Sequence, residues 1–111
     1  MATDQDFLEY VVEQAEGAGM LSHRRMFGEY ALYLDGKVVA LVCDNQLFVK
    51  PTEAGRRFLG EPREGFPYPG AKPWFQADEV LDDAETLAEL LRLTARELPL
   101  PKPKPKKKKK P

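Results

Sequence analysis

The run Tyr30-Ala31-Leu32-Tyr33-Leu34, the pair Asp35-Gly36 and the return from Lys37 to Cys43 constrain this chain more than any other segment. Both central residues of a type I′ turn need positive φ, which Asp-Gly tolerates well. Two β-prone runs separated by only those residues fold back on each other as a hairpin. The short turn then sets the register, with Leu34 facing Lys37, Tyr33 facing Val38, Leu32 facing Val39 and Tyr30 facing Leu41. Asp44-Asn45 repeats the device before Gln46-Leu47-Phe48-Val49-Lys50. The expectation is a three-strand antiparallel meander, led by a further strand at residues 24–27.

Strict alternation puts Tyr30, Leu32, Val39, Leu41 and Phe48 on one face and Tyr33, Val38, Val42, Leu47 and Val49 on the other. A meander with one wet face alternates apolar and polar more cleanly. Here both faces are apolar, so the second is expected to be covered by later helices or by another subunit.

Helical spacing brackets the meander. Phe7, Leu8, Val11, Val12 and Ala15 recur with a helical period over residues 4–16, with Thr3 or Asp4 to accept from the first free N–H groups and Gly17 and Gly19 to stop the helix. A short helix follows Pro51 with Thr52 as its cap and Ala54 and Phe58 one turn apart, closed by Gly60 and Pro62. Asp82-Asp83-Ala84-Glu85 reads as a capping box with Asp82 as cap, opening a last helix whose inward stripe is Leu87, Leu90, Leu91, Thr94 and Leu98. Between these helices, Pro62, Pro67, Pro69 and Pro73 alternate with Phe66, Tyr68, Trp74 and Phe75, too many prolines for a central strand; edge pieces fit at 66–68 and 73–76. The fold class is α+β: an antiparallel sheet flanked by N-terminal, short middle and C-terminal helices.

Hydrophobic content of 42% suits a globular domain, and residues 1–98 suffice for one core without staples. Cys43 is the one cysteine and His23 the one histidine, which excludes an internal disulfide and a Cys/His zinc set. No nucleotide-binding glycine loop occurs, so no cofactor is expected. The opening Met-Ala-Thr-Asp-Gln-Asp has no apolar run of the signal-peptide kind, and no stretch has the apolar length of a membrane helix, so a cytoplasmic protein without membrane contact is expected.

Charge divides the chain in two. Seven lysines (Lys102, Lys104, Lys106, Lys107, Lys108, Lys109 and Lys110) and no acid lie in 99–111. Ten of the 17 Lys+Arg and all 18 Asp+Glu precede them, so a body of formal charge −8 carries an arm of +7. Alternating Lys-Pro cannot form a helix, since proline lacks the N–H and disfavours helical backbone in its predecessor. An extended arm of this kind can neutralise phosphates without reading bases; with all seven lysines on duplex DNA the log–log salt slope is at most about −6. It can equally serve as a solubilising tail, or fold back on the acids around Asp82 and Glu85.

Other candidates have plain alternatives. Arg24 and Arg25, beside His23, form a small basic cluster suited to phosphate or to an acidic partner, or simply to solvent. Cys43 stands next to Asp44, the wrong neighbour for a reactive thiolate, and reads as structural. Tyr68, Trp74 and Phe75 can form an aromatic interaction surface or plug the end of a small core. Gly28 after Met26-Phe27 suits a bend.

The stretch Arg25-Met26-Phe27-Gly28-Glu29-Tyr30-Ala31-Leu32-Tyr33-Leu34-Asp35-Gly36-Lys37, with Ala40-Leu41-Val42 and Leu47-Phe48-Val49-Lys50 after it, resembles the N-terminal domain of the TfoX/Sxy family. Lys72-Pro73 and the Glu79-Val80-Leu81-Asp82-Asp83 lead into a leucine-rich helix resemble it too, so that residues 5–97 are covered. The most specific piece is Arg-x-Met-Phe-Gly-x-Tyr; Glu29 departs from it, standing where the family often has a second glycine. The resemblance implies a secretion-chaperone-like α+β fold, no catalytic residues, and kinship with regulators of natural competence that act in transcription beside the cyclic-AMP receptor protein. Such regulators usually add a C-terminal helical domain; here the lysine arm is expected in its place.

The reading is a body at 1–98 and a basic arm at 99–111. Together they make a non-enzymatic regulatory or adaptor domain that binds a protein partner or itself and touches nucleic acid non-specifically through the arm. The alternative is a small interaction module, dimeric through an apolar sheet face, with no nucleic-acid role. No nucleophile–base pair or carboxylate dyad points to an enzyme, and no small-molecule substrate is expected.

Overall fold

Asp35 and Gly36 have φ of 54° and 80°, and Asp44 and Asn45 have 53° and 57°, so both tight turns take the left-handed backbone expected of them. The computed structural model describes residues 3–26 and 29–99. In chain order these form α1 (Gln5–Ala15), β1 (Leu21–Met26), β2 (Glu29–Leu34), β3 (Lys37–Cys43), β4 (Gln46–Val49), α2 (Glu53–Leu59), β5 (Arg63–Gly65), β6 (Trp74–Gln76) and α3 (Ala84–Glu97). Short 3-10 turns at Glu16–Ala18 and Asp78–Val80 follow α1 and precede α3. The strands make one antiparallel six-stranded sheet in the order β1-β2-β3-β4-β6-β5.

The hairpin starts in the expected register, Leu34 opposite Lys37 and Tyr33 opposite Val38. There it slips. Leu32 faces Ala40 and Tyr30 faces Val42, rather than Val39 and Leu41, because Val39 is one extra residue on β3. A bulge of this kind sends every later side chain of its strand to the opposite face. Tyr30, Leu32, Leu34, Ala40, Val42, Leu47 and Val49 therefore share the face that builds the main core, whereas Leu41 joins Ala31, Cys43 and Phe48 on the other. Val39 stays buried, and its carbonyl accepts from the Lys50 N–H at 2.8 Å.

All three helices lie on the main-core face. Leu8 and Val11 of α1 and Leu87, Leu90 and Leu91 of α3 are buried against the sheet, each at most 2% exposed. Of the residues expected on the second face, Val42, Leu47 and Val49 are covered by the helices, whereas among the described residues no helix residue contributes to the Ala31–Leu41–Cys43–Phe48 cluster, for which another subunit is the other expected cover. α2 presents Gly55 inward; a Cβ there would lie 2.9 Å from Thr52 Oγ1 and 3.4 Å from both Leu90 and Phe75 side chains, so the close approach requires glycine. Phe58, one turn from Ala54, points outward and is 40% exposed.

The caps show how local sequence and tertiary contact share the work. Thr52 accepts from Gly55 N–H at 3.0 Å as expected. At α3 the cap is Asp83 rather than Asp82: its carboxylate accepts from the Thr86 N–H at 3.2 Å and hydroxyl at 2.8 Å, which lowers its pKa. Asp82 instead accepts the Tyr10 hydroxyl, tying α3 to α1. At α1 neither candidate side chain caps the helix. The Asp4 N–H donates to Asn45 Oδ1 at 2.9 Å and the Thr3 hydroxyl to Glu29 Oε1 at 2.6 Å, so the start of α1 is fastened to strand ends instead.

Strand placement in the proline-rich region also differs. The piece expected at 66–68 lies at Arg63–Gly65, and Trp74–Gln76 is an inner strand between β4 and β5 rather than an edge. The leading strand runs Leu21–Met26 and is an edge. Phe27 and Gly28, where a bend is expected, lie outside the described residues.

Glu97, in the last turn of α3, accepts from the Glu53 and Ala54 N–H groups at 3.0 and 2.8 Å, closing the start of α2. Those two donors, with Arg57 nearby, hold its pKa below the usual carboxylate value. A depressed folded pKa gives stability that is present above the unfolded value, about 4.3, and is lost as pH falls through that region. Thermal unfolding of Glu97→Gln should therefore show a lower Tm than the parent at pH 7, with the deficit shrinking by pH of about 3. An equal deficit at both pH values would contradict a role for the carboxylate.

Candidate functional site

Among the described residues, the segment 66–69 and the second face of the sheet at Leu41, Cys43 and Phe48 together line a cleft of about 710 Å³ near the ends of the strands. Leu41 and Phe48 form its floor, 8% and 3% exposed. Phe66 and Tyr68 form its rim and stay 65% and 54% exposed; Met26, at 37%, faces them from β1. Three large apolar side chains are thus exposed around one concavity, a composition that contact surfaces share.

Gly65 permits the close packing here. A Cβ on it would stand 3.0 Å from the Phe48 ring and 3.2 Å from Gln76 Oε1, so a side chain here would have to push the ring and the amide back by a few tenths of an ångström. At the strand ends the cleft wall is acidic. Glu29 Oε1 accepts from the Thr3 hydroxyl at 2.6 Å and the Asp44 N–H at 3.2 Å, which fixes the carboxylate beside the β3–β4 turn with Asp44 as its neighbour.

Cys43 also lines this cleft. Burial, followed by the charges of Glu29 and Asp44, pushes its thiol up to about 11. The thiol is thus held protonated at neutral pH, in line with a structural role.

The other expected site residues separate. Arg24 pairs with Ala31 and points to the second face, whereas Arg25 and His23 pair with Tyr30 and Leu32 on the main-core face. Arg25 sits 5.9 Å from the Tyr30 ring centroid and the His23 ring packs edge-on at 6.2 Å. The sheet divides the three aromatic candidates in the same way. Tyr68 stands on the cleft rim, Trp74 is half-buried on the second face with Lys50 Nζ 5.9 Å from its centroid, and Phe75 is fully buried in the main core beneath Arg56. Lys102, Lys104, Lys106, Lys107, Lys108, Lys109 and Lys110 lie outside the described residues. Sequence reasoning missed Glu29, Met26 and Phe66 as parts of one cleft. The usable signal was the departure at Glu29 and an exposed phenylalanine among prolines.

Among the described residues, no helix is long and apolar enough to cross a membrane, and no group of three His, Cys, Asp or Glu is placed to hold a metal ion. Comparison with known proteins matches residues 13–98 to the family described as the TfoX N-terminal domain. A relative from Spirochaeta aurantia, described as an uncharacterized 12.7 kDa protein in the trpE 5′ region, is 50% identical over 99 residues, covering 89% of this chain and 86% of that protein.

Cys43 gives the geometry of the cleft floor a direct readout. Its alkylation at pH 8 in the folded protein should be at least about 100-fold slower than in the denatured chain, since a pKa near 11 leaves little thiolate. A native rate close to the denatured one would contradict the burial.

Proposed function

The chain belongs to the TfoX N-terminal domain family, and from that premise we propose that it is a non-enzymatic regulatory or adaptor domain of the competence-regulator type, linked to transcription in the cytoplasm. The body at 1–98 binds a protein partner through the helix-free face of the sheet, and the arm at 99–111 adds non-specific contact with nucleic acid. The observation that carries the reading is the one-sided placement of the helices. It leaves Tyr33, Val38 and Trp74 half-buried on that face, and at the other end of the same face a cleft whose rim is apolar. A face of this composition has the aromatic character of interaction surfaces.

Chemistry is not its task on this reading. Of the cleft's ionisable groups, Cys43 is held protonated and Glu29 is occupied by the Thr3 hydroxyl and the Asp44 N–H. The arm's seven lysines without a single acid supply what counterion release from a phosphate backbone requires, and Arg24 on the second face adds one more cation. Contacts of this kind position a protein without choosing a sequence, so any choice of site falls to the partner. A second reading keeps the body as an interaction module, self-associating through the same face, with the arm as a solubilising tail. It is favoured by the apolar, rather than basic, character of the second face.

Duplex retention measured across a salt series separates the two. The parent should bind weakly with a log–log slope no steeper than about −6, and replacing the seven lysines by glutamine should remove most of the retention and flatten the slope. Equal retention by the glutamine variant would overturn the nucleic-acid half of the proposal and leave the second reading.

A further inference from the structure

We propose that the cleft between the second sheet face and the 66–69 segment binds the Lys/Pro-rich arm of a second copy of this chain. The inference rests on the reading of that face as the partner-binding face, and it names the partner; it does not depend on the arm's contact with nucleic acid.

The cleft asks for an occupant of particular chemistry. Its floor and rim are Leu41, Phe48, Phe66 and Tyr68, and its strand-end wall carries the carboxylates of Glu29 and Asp44. Aromatic-lined grooves take proline-rich segments because proline rings pack on aromatic faces and the backbone is already extended, so little freedom is lost on docking. Acids at the wall add selection for lysine over other side chains. Pro99-Leu100-Pro101-Lys102-Pro103-Lys104-Pro105-Lys106 has both halves of that chemistry, apolar rings alternating with cations. The two parts are also opposite in total charge, −8 for residues 1–98 and +7 for the arm, which draws the arm of one copy to the body of another.

Path length favours a second copy over the chain's own body. α3 ends beside the β2–β3 turn and the start of α2, where Lys37 Nζ donates to the Ala95 carbonyl and Glu97 accepts from Glu53 and Ala54. The cleft opens at the opposite end of β3 and on the opposite face. Running along β3, Lys37 to Cys43, covers roughly 20 Å, and rounding the sheet adds roughly 10 Å. The proline-bearing stretch 99–106 reaches only about 25 Å at about 3.1 Å per residue in the extended form that Lys-Pro favours, short of that path. An arm folding back on its own body would therefore place these prolines outside the cleft.

Sedimentation of the full chain tests this. The expected result is a concentration-dependent association at low salt, on the order of 10 mM, that weakens as screening rises. The paired substitution Phe66→Ala and Tyr68→Ala changes exposed residues, so retained circular dichroism verifies the fold; it should weaken association at least about tenfold. Replacing the arm lysines by glutamine should do the same, and a synthetic peptide of sequence 99–111 should dissociate the parent. A monomer at every concentration, association indifferent to either variant, or arm–cleft contacts unchanged on dilution (an intramolecular arm) would each overturn the proposal. Duplex retention is read separately, so loss of association with retention intact refutes this inference alone.

Discussion

One extra residue on β3 determines what each side of this sheet can do. Without Val39 as a bulge, the Asp-Gly turn would carry Leu41 to the same face as Leu32, and Val42 to the opposite face. With it, Val42 joins Leu32, Leu47 and Val49 under the helices, and Leu41 joins Phe48 on the far side. Because side chains alternate with a period of two, a single insertion re-sorts the rest of the strand. The main core gains a continuous apolar floor for α1 and α3, and the second face gains a smaller cluster that, among the described residues, no helix covers.

Glu29 links that asymmetry to the cleft. Its carboxylate fastens Thr3 and the β3–β4 turn to the start of β2, and in doing so stands on the cleft wall beside Asp44. The same residue thus anchors the start of α1 and gives an otherwise aromatic groove its negative charge. Gly65 plays the matching part on the other side, where the absence of a Cβ lets Phe48 approach β5.

How far the sequence could be read follows from where the deciding interactions are. The two turns were legible because positive φ at Asp35, Gly36, Asp44 and Asn45 is a local demand met by local residues. The Thr52 cap was legible for the same reason. The bulge was not, since Val39 sits in a run of β-branched and small residues that suits either register and is decided by packing against the helices. At α3 the capping-box spacing pointed to Asp82, but the Tyr10 contact from α1 takes Asp82 and Asp83 caps the helix. Aromatic clustering at Tyr68, Trp74 and Phe75 was visible as composition, but strand alternation sends Trp74 and Phe75 to opposite faces. The TfoX resemblance, carried by the Arg-x-Met-Phe-Gly-x-Tyr run, agreed with the family found by comparison.

The two-sided sheet accounts for the helices, the buried thiol and the open aromatic groove together, so it bears the most direct test. Methyl nuclear Overhauser contacts from Leu41 in the full chain decide it. The bulged register predicts contacts to Phe48 and to the 66–69 segment, and none to Leu87 or Leu91 of α3. Contacts from Leu41 to those α3 leucines would show a regular hairpin and contradict the account.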